Sequence, residues 1–285
     1  MKKKLLFLGT IALAVIVSIS MIACEEDGDK GPSIPKVPAY GTSDIAAFNI
    51  NGAVTPSFES DEKAMMFFAE AAMRIGTPDL SSIMEDVMDG YMGNTQSRAV
   101  YSQSNSIDVN LADFAKENEA LGISDLKGKI KGTVTTKYDD VKYTISYSGN
   151  VKANASYSFD VDAVEQEDEY SYKPEFLKAK VKMEANGSMS QKMTESGYSM
   201  SVSLGAAGSL AMAYMDEGEG AKFILSFGAA GTVKANIDMA EEAAVPADLS
   251  KIDGSVTLSI YDAGNILKYK VQMNFKDFEN LIVVE

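Results

Sequence analysis

Carboxylates are the one kind of side chain in this sequence abundant enough to suggest acid–base chemistry. Glu165, Glu167, Asp168 and Glu169 form one cluster, and Asp216, Glu217 and Glu219 form another. A carboxylate becomes a useful acid or base when burial or a close like charge moves its pKa. Both clusters fall between runs of alternating apolar residues, in turns where water solvates them. Glu25, Glu26, Asp27 and Asp29 lack the spacing of a calcium loop. The chain has no histidine, so the usual base near neutral pH and the commonest metal ligand are missing. No glycine-rich phosphate loop, paired metal-ligand spacing or strand–turn–helix serine is present. Carboxylate-only hydrolysis, of the glycosidase kind, stays open as the enzymatic alternative. The expectation is a non-enzymatic protein with no metal and no cofactor. Tyr143, Tyr147, Tyr157, Tyr198 and Tyr214 fall at apolar positions, which suits core packing with the hydroxyl at the rim.

The one cysteine, Cys24, follows a specific pattern. Lys2, Lys3 and Lys4 precede an apolar run from Leu5 to Ile22, and Met21-Ile22-Ala23-Cys24 closes it. This segment resembles the signal peptide and lipobox of bacterial lipoproteins, with Met21 departing mildly from the family's Leu, Val or Ile. The resemblance covers residues 1–24. It implies cleavage after Ala23, a diacylglyceryl thioether on Cys24 and an acylated new amine, palmitate being one such acyl chain. Two or three chains hold a protein at a membrane where one is marginal. Glu25 after the cysteine implies, by resemblance to enterobacterial sorting, passage to the outer membrane. An uncleaved spanning helix and an ordinary signal peptide are the alternatives.

Charge narrows the partners. Acidic side chains number 41 and basic ones 26, for a formal net charge of −15. Net charge of this sign repels nucleic-acid phosphates and anionic head groups, so the sequence implies no nucleic-acid partner and no electrostatic docking on membranes. The expected partners are the membrane, through the lipid, and an apolar small molecule or lipid.

Four segments follow along the chain. Residues 1–23 read as the signal peptide and 24–40 as a lipidated tether, since charge, glycine and prolines oppose packing there. Residues 41–126 read as mixed and helical. Ser60 caps a helix through Lys63 to Arg74, with Met65, Met66, Phe68, Ala69, Ala72 and Met73 on one stripe. A second helix is expected from Pro78 to Gly93 and a third from Leu111 to Leu121. From residue 127 to 285 the apolar period is two. Hairpins are expected at Asp139-Asp140, Ser148-Gly149-Asn150, Glu217 to Gly220 and Asp262 to Asn265. The fold class is α+β, mainly β. It is a curved antiparallel meander of roughly eight or nine strands, partly or fully closed, with one apolar face carrying the N-terminal helices. The two last segments form one domain.

A short repeat singles out one region. Ser203-Leu204-Gly205-Ala206-Ala207-Gly208-Ser209 recurs as Ser226-Phe227-Gly228-Ala229-Ala230-Gly231-Thr232. With a four-residue turn, Gly208 would face Ala229 and Ala206 would face Gly231. Four tiny side chains then form a trough on the apolar face, bordered by Leu204, Leu210, Phe227 and Val233. Phe67 or Phe68 of the helix could fill it, or an apolar ligand could. The layout resembles the helix-plugged half-barrels of periplasmic lipid and lipoprotein carriers. That likeness implies a lipid-like ligand between helix and sheet. A surface or structural lipoprotein with a filled core is the second reading, and an outer-membrane barrel the third.

Overall fold

The computed structural model describes residues 33–79, 100–139, 142–165, 173–194, 197–238, 243–244 and 253–274. Cys24 with the expected signal segment, and all of the expected second helix beyond Asp79, lie outside them.

Alternating residues build long strands. They are β1 (Val100–Asn110), β2 (Leu121–Asp139), β3 (Thr144–Val164), β4 (Phe176–Thr194), β5 (Gly197–Asp216), β6 (Glu219–Asp238), β7 (Ala243–Ala244), β8 (Asp253–Tyr261) and β9 (Leu267–Asn274). Eight of them pair antiparallel in the order β1-β2-β3-β4-β5-β6-β8-β9, and β7 adds a short rung to β6. The sheet is open, with β1 and β9 as its edges. The chain is mainly β and few residues are helical: α1 (Thr42–Ala46), α2 (Asp61–Ala72) and one 3₁₀ turn (Leu111–Phe114).

Several sequence expectations are corrected by this pairing. Ser148-Gly149-Asn150 is no turn. It lies within the 21-residue β3, where Gly149 pairs with Val134 on one side and Met189 on the other. Pairing on both sides outweighs the local turn preference. The segment read as helical holds a full strand, β1, and the sheet already resumes at Leu121. Only the Leu111–Phe114 turn forms where a third helix was expected. The β2–β3 connection pairs Tyr138 with Ile145, not Val141, and Tyr143 takes a positive φ of 45°.

Between β5 and β6 the turn is two residues long. Glu217 and Gly218 both have positive φ (48° and 79°), and Asp216 pairs with Glu219. Such a turn matches the twist of paired strands better than a longer one. The consequence is a slip of two residues from the expected register. A slip of two preserves which face each side chain occupies but changes its partner.

The sheet has two unequal faces. The main face carries the larger core, in which Met212, Phe223, Leu258 and Ile260 are fully buried together with Ala64, Met65 and Phe68 of α2. Ser60 caps α2 by accepting from the Lys63 N–H, and Asp61 and Glu62 suit the positive end of its dipole. The Tyr269 hydroxyl of β9 donates to Asp61 (3.0 Å). Buried Asn118 accepts from the Asp79 N–H (2.7 Å) and donates to the Phe114 carbonyl (2.9 Å), which holds the chain after α2 beside the 3₁₀ turn.

The opposite face is not uniformly polar. Ile45, Phe48 and Ile50 bury against Ala211, Ala213 and Ile224. Residues 205–214 are consequently buried without alternation, as in strands covered on both sides. The stretch Ser33–Tyr40, read as free tether, is docked here as a strap. The Tyr40 N–H donates to Ser209 Oγ (2.9 Å), and Asn186 Nδ2 donates to the Ser33 carbonyl (3.4 Å). Sequence composition hid this docking because its seat lies some 170 residues away. A Cβ at Gly205 would stand 2.1 Å from the Ser33 oxygen, and one at Gly228 would stand 2.7 Å from the Ile34 side chain. One glycine from each copy of the repeat thus admits the strap. Gly205→Val should lift it, at a cost of about 1–3 kcal/mol in urea unfolding. Limited proteolysis should then cut between Ser33 and Ile50. Unchanged stability and an unchanged cleavage pattern would contradict the docked strap.

From Ile50 the chain crosses to the main face around the β5–β6 turn. The Val54 N–H donates to the Gly218 carbonyl (2.9 Å), the Gly220 N–H donates to that of Val54 (3.0 Å), and Thr55 Oγ1 donates to that of Gly220 (2.9 Å).

Candidate functional site

The main face divides along the strands. At the end near the β5–β6 turn, α2 side chains stand among the largest buried residues. The Phe68 ring lies 5.6 Å from that of Phe223 at 61°, a favourable edge-to-face arrangement. Phe67 lies 5.8 Å from Phe223, 6.1 Å from Tyr214 and 5.6 Å from Phe58. Leu210 belongs to this same cluster, opposite Leu225 and Val181.

Farther along, apolar residues continue but burial weakens. Tyr198, Val202 and Leu204 of β5 are half-buried, as are Ile145 and Tyr147 of β3, Met189 of β4 and Phe227 of β6. Tyr138 and Met193 reach 38% and 37% exposure. By contrast Met212, on the same face of β5, has none. The described residues therefore leave an apolar surface open at this end, continuous with the core.

The expected trough lies at the junction of the two ends, in altered form. Ala206 pairs with Ala229, Gly208 with Phe227 and Leu204 with Gly231. Val233 pairs with Val202. The expected pairs Gly208–Ala229 and Ala206–Gly231 do not form, because the shorter turn shifts β6 by two residues. Leu204 faces Gly231 and Phe227 faces Gly208, so a large side chain meets a small one on either side of a single small pair, Ala206 and Ala229. The space over Gly208 belongs to Phe227: a Cβ there would come 2.5 Å from its ring. The space over Gly187 is taken by Leu204, 3.0 Å from the corresponding Cβ position. Neither Phe67 nor Phe68 fills the glycine positions, since their ring partners are Phe58, Tyr214 and Phe223. Of the sequence-selected residues, Phe67, Phe68 and Leu210 group at the covered end. Leu204, Ala206, Gly208, Phe227, Ala229 and Gly231 group at the junction. The half-buried Ile145, Tyr147 and Met189 were missed as site residues, although the period-two pattern placed the first two on this face.

Titratable groups near the site serve packing. Burial pushes the Tyr157 phenol up to about 12. Tyr214 is likewise raised to about 12, by burial first, with Arg74 opposing and Asp216 and Glu70 reinforcing the rise. A model phenol titrates near 10. Between 10 and 12 the unfolded chain has already lost protons that the folded chain keeps. Stability is therefore full below pH 10 and falls as pH rises toward 12. For Tyr157 alone the fall amounts to about 2–3 kcal/mol. Tyr157→Phe should flatten that part of the alkaline loss in urea titrations. An equally steep loss in the variant would show that Tyr157 is not the source.

On the opposite face, Lys222 is 2% exposed, and its Nζ donates to Asn265 Oδ1 (2.9 Å). Burial lowers its pKa, against the raising field of Asp262. This lysine pins the β8–β9 turn to β6. Among the described residues no three His, Cys, Asp or Glu side chains converge as a metal site would require. No helix of the described residues is long and apolar enough to cross a membrane. No protein-family model matches the chain, and no curated protein and no solved structure matches it.

Proposed function

We propose that this is a lipid-anchored protein of the bacterial cell envelope, held through Cys24 at the outer membrane, that binds an apolar, lipid-like ligand on the main face of its sheet. The observation that carries the reading is the half-buried apolar surface from Leu204 and Phe227 to Tyr147 and Met189, which continues from the closed core. Contiguous apolar surface of this kind marks ligand or partner sites more often than accident. In this reading α2 covers one end of the face and the ligand's acyl portion covers the other. Recognition is by shape and apolar contact, with no bond made or broken, so the protein is not an enzyme.

A second reading has an observation of its own. Phe227 and Leu204 occupy the space over Gly208 and Gly187. A surface lipoprotein with a self-filled core, meeting protein partners through its loops, would be built that way.

A polyene fatty acid that fluoresces in apolar surroundings separates the two. Titration into the intact protein should give saturable binding. Leu204→Glu, placing a charge in the open end, should weaken it at least about tenfold. No saturable binding, or binding indifferent to Leu204→Glu, would favour the self-filled core.

A further inference from the structure

We propose that the strap side of β2–β4 is the surface on which this protein lies against an anionic membrane. The proposal rests on the lipid-anchor reading and adds an orientation to it. The net charge of −15 describes the chain as a whole, but on this face of β2–β4 the lysines outnumber the carboxylates, among them Asp139, Asp160 and the exposed Glu184. Every lysine of β2, β3 and β4 occupies the same alternate set of positions, so all point away from the main face. Lys129, Lys131, Lys137, Lys152 and Lys192 are exposed. Lys131 stands directly opposite Lys152, and Lys137 and Lys192 flank Ser146 from its two sides.

Directly opposed like charges destabilise a sheet unless something neutralises them. Within the protein only part of that need is met. Asp108 pairs with Lys131 (3.0 Å) and Asp160 with Lys178 (2.5 Å). Lys180 and Lys182 lie over the rings of Phe48 and Tyr40, at 5.9 and 3.9 Å. Among the described residues no carboxylate stands within ion-pair distance of Lys129, Lys137, Lys152 or Lys192. These four cations share one face and suit a surface of phosphates.

The second observation is where the anchor arrives. Ser33 is docked on this same face, its carbonyl accepting from Asn186, which pairs with Lys152. Ser33 lies nine positions after Cys24, a reach of roughly 30 Å at most. In the proposed orientation lipid on Cys24 brings this face to the bilayer. Short of a Debye length, about 8–10 Å, the lysines then feel anionic head groups without full screening. The open apolar end of the main face is left pointing away from the bilayer.

The test uses the acylated protein purified from its own membrane and reconstituted onto vesicles. One set is phosphatidylcholine, and the other contains phosphatidylglycerol. Amine acylation is read by peptide mass spectrometry after flotation. Lys129, Lys137, Lys152 and Lys192 should react about fivefold less on the anionic vesicles, while Lys63 and Lys270 react equally on both. Lys129→Glu with Lys152→Glu should abolish the protection of Lys137 and Lys192 without preventing flotation. Equal labelling on both floated vesicles would overturn the docking face while leaving the anchor intact. Failure to float with either would overturn the anchor, and the docking with it. Protection by soluble polyphosphate but not by vesicles would overturn the membrane as the partner.

Discussion

Phe68→Ala should cost about 3–5 kcal/mol, a large share of the stability of an ordinary domain. Phe68 is 1% exposed and its ring meets Phe223, itself fully buried, in the middle of the main-face core. Truncation removes the transfer energy of a whole ring and leaves a cavity between Ala64, Met65 and the sheet that neighbouring side chains refill poorly. The helix is only 12 residues long, and an isolated helix of that length is marginal in water. Its order therefore depends on this contact. Urea unfolding should show the loss, and amide exchange in Asp61–Ala72 should quicken ahead of that in β3–β5. A cost below about 1 kcal/mol would mean that the helix does not close this end of the face.

The second large effect concerns Cys24. Cys24→Ala removes the only thiol in the chain, and with it the only atom that a thioether-forming acylation could use. Each buried methylene contributes about 0.8 kcal/mol to membrane affinity, so under the proposed anchoring the loss of two or three acyl chains is a change of kind. In cells fed a labelled fatty acid, the variant should carry no label and should keep residues 1–23. Label that survives the substitution would contradict the anchor.

What could be read from the chain, and what could not, follows from the range over which each signal acts. Period two across Ala179, Val181, Met183 and Ala185, or across Val256, Leu258 and Ile260, is local, and each became a strand with that face buried or half-buried. Ser60 before an apolar stripe is local too, and it caps α2. β1 was hidden because after Val100 and Tyr101 only Ile107 and Val109 are apolar in its Ser- and Asn-rich run, and β2 supplies the pairing. The register of β5 on β6 depended on whether the turn had two or four residues, a choice made by φ at Glu217 and Gly218. That choice moved Phe227 over Gly208 and turned an empty trough into a partly filled one. The strap was illegible for another reason. Ser33 and Ile34 look like tether until Gly205 and Gly228, distant in sequence, open a seat for them. The excess of lysine over carboxylate on one face of β2–β4 was present in the alternation, but averaging the charge over the chain concealed it.

Native mass spectrometry of the acylated protein, purified from its own membrane without added lipid, bears most directly on whether the main face holds a guest. A second species should appear, heavier by one lipid-sized, non-covalent mass, released on collisional activation and diminished in Leu204→Glu. A single unadducted mass, recurring across independent preparations, would contradict it.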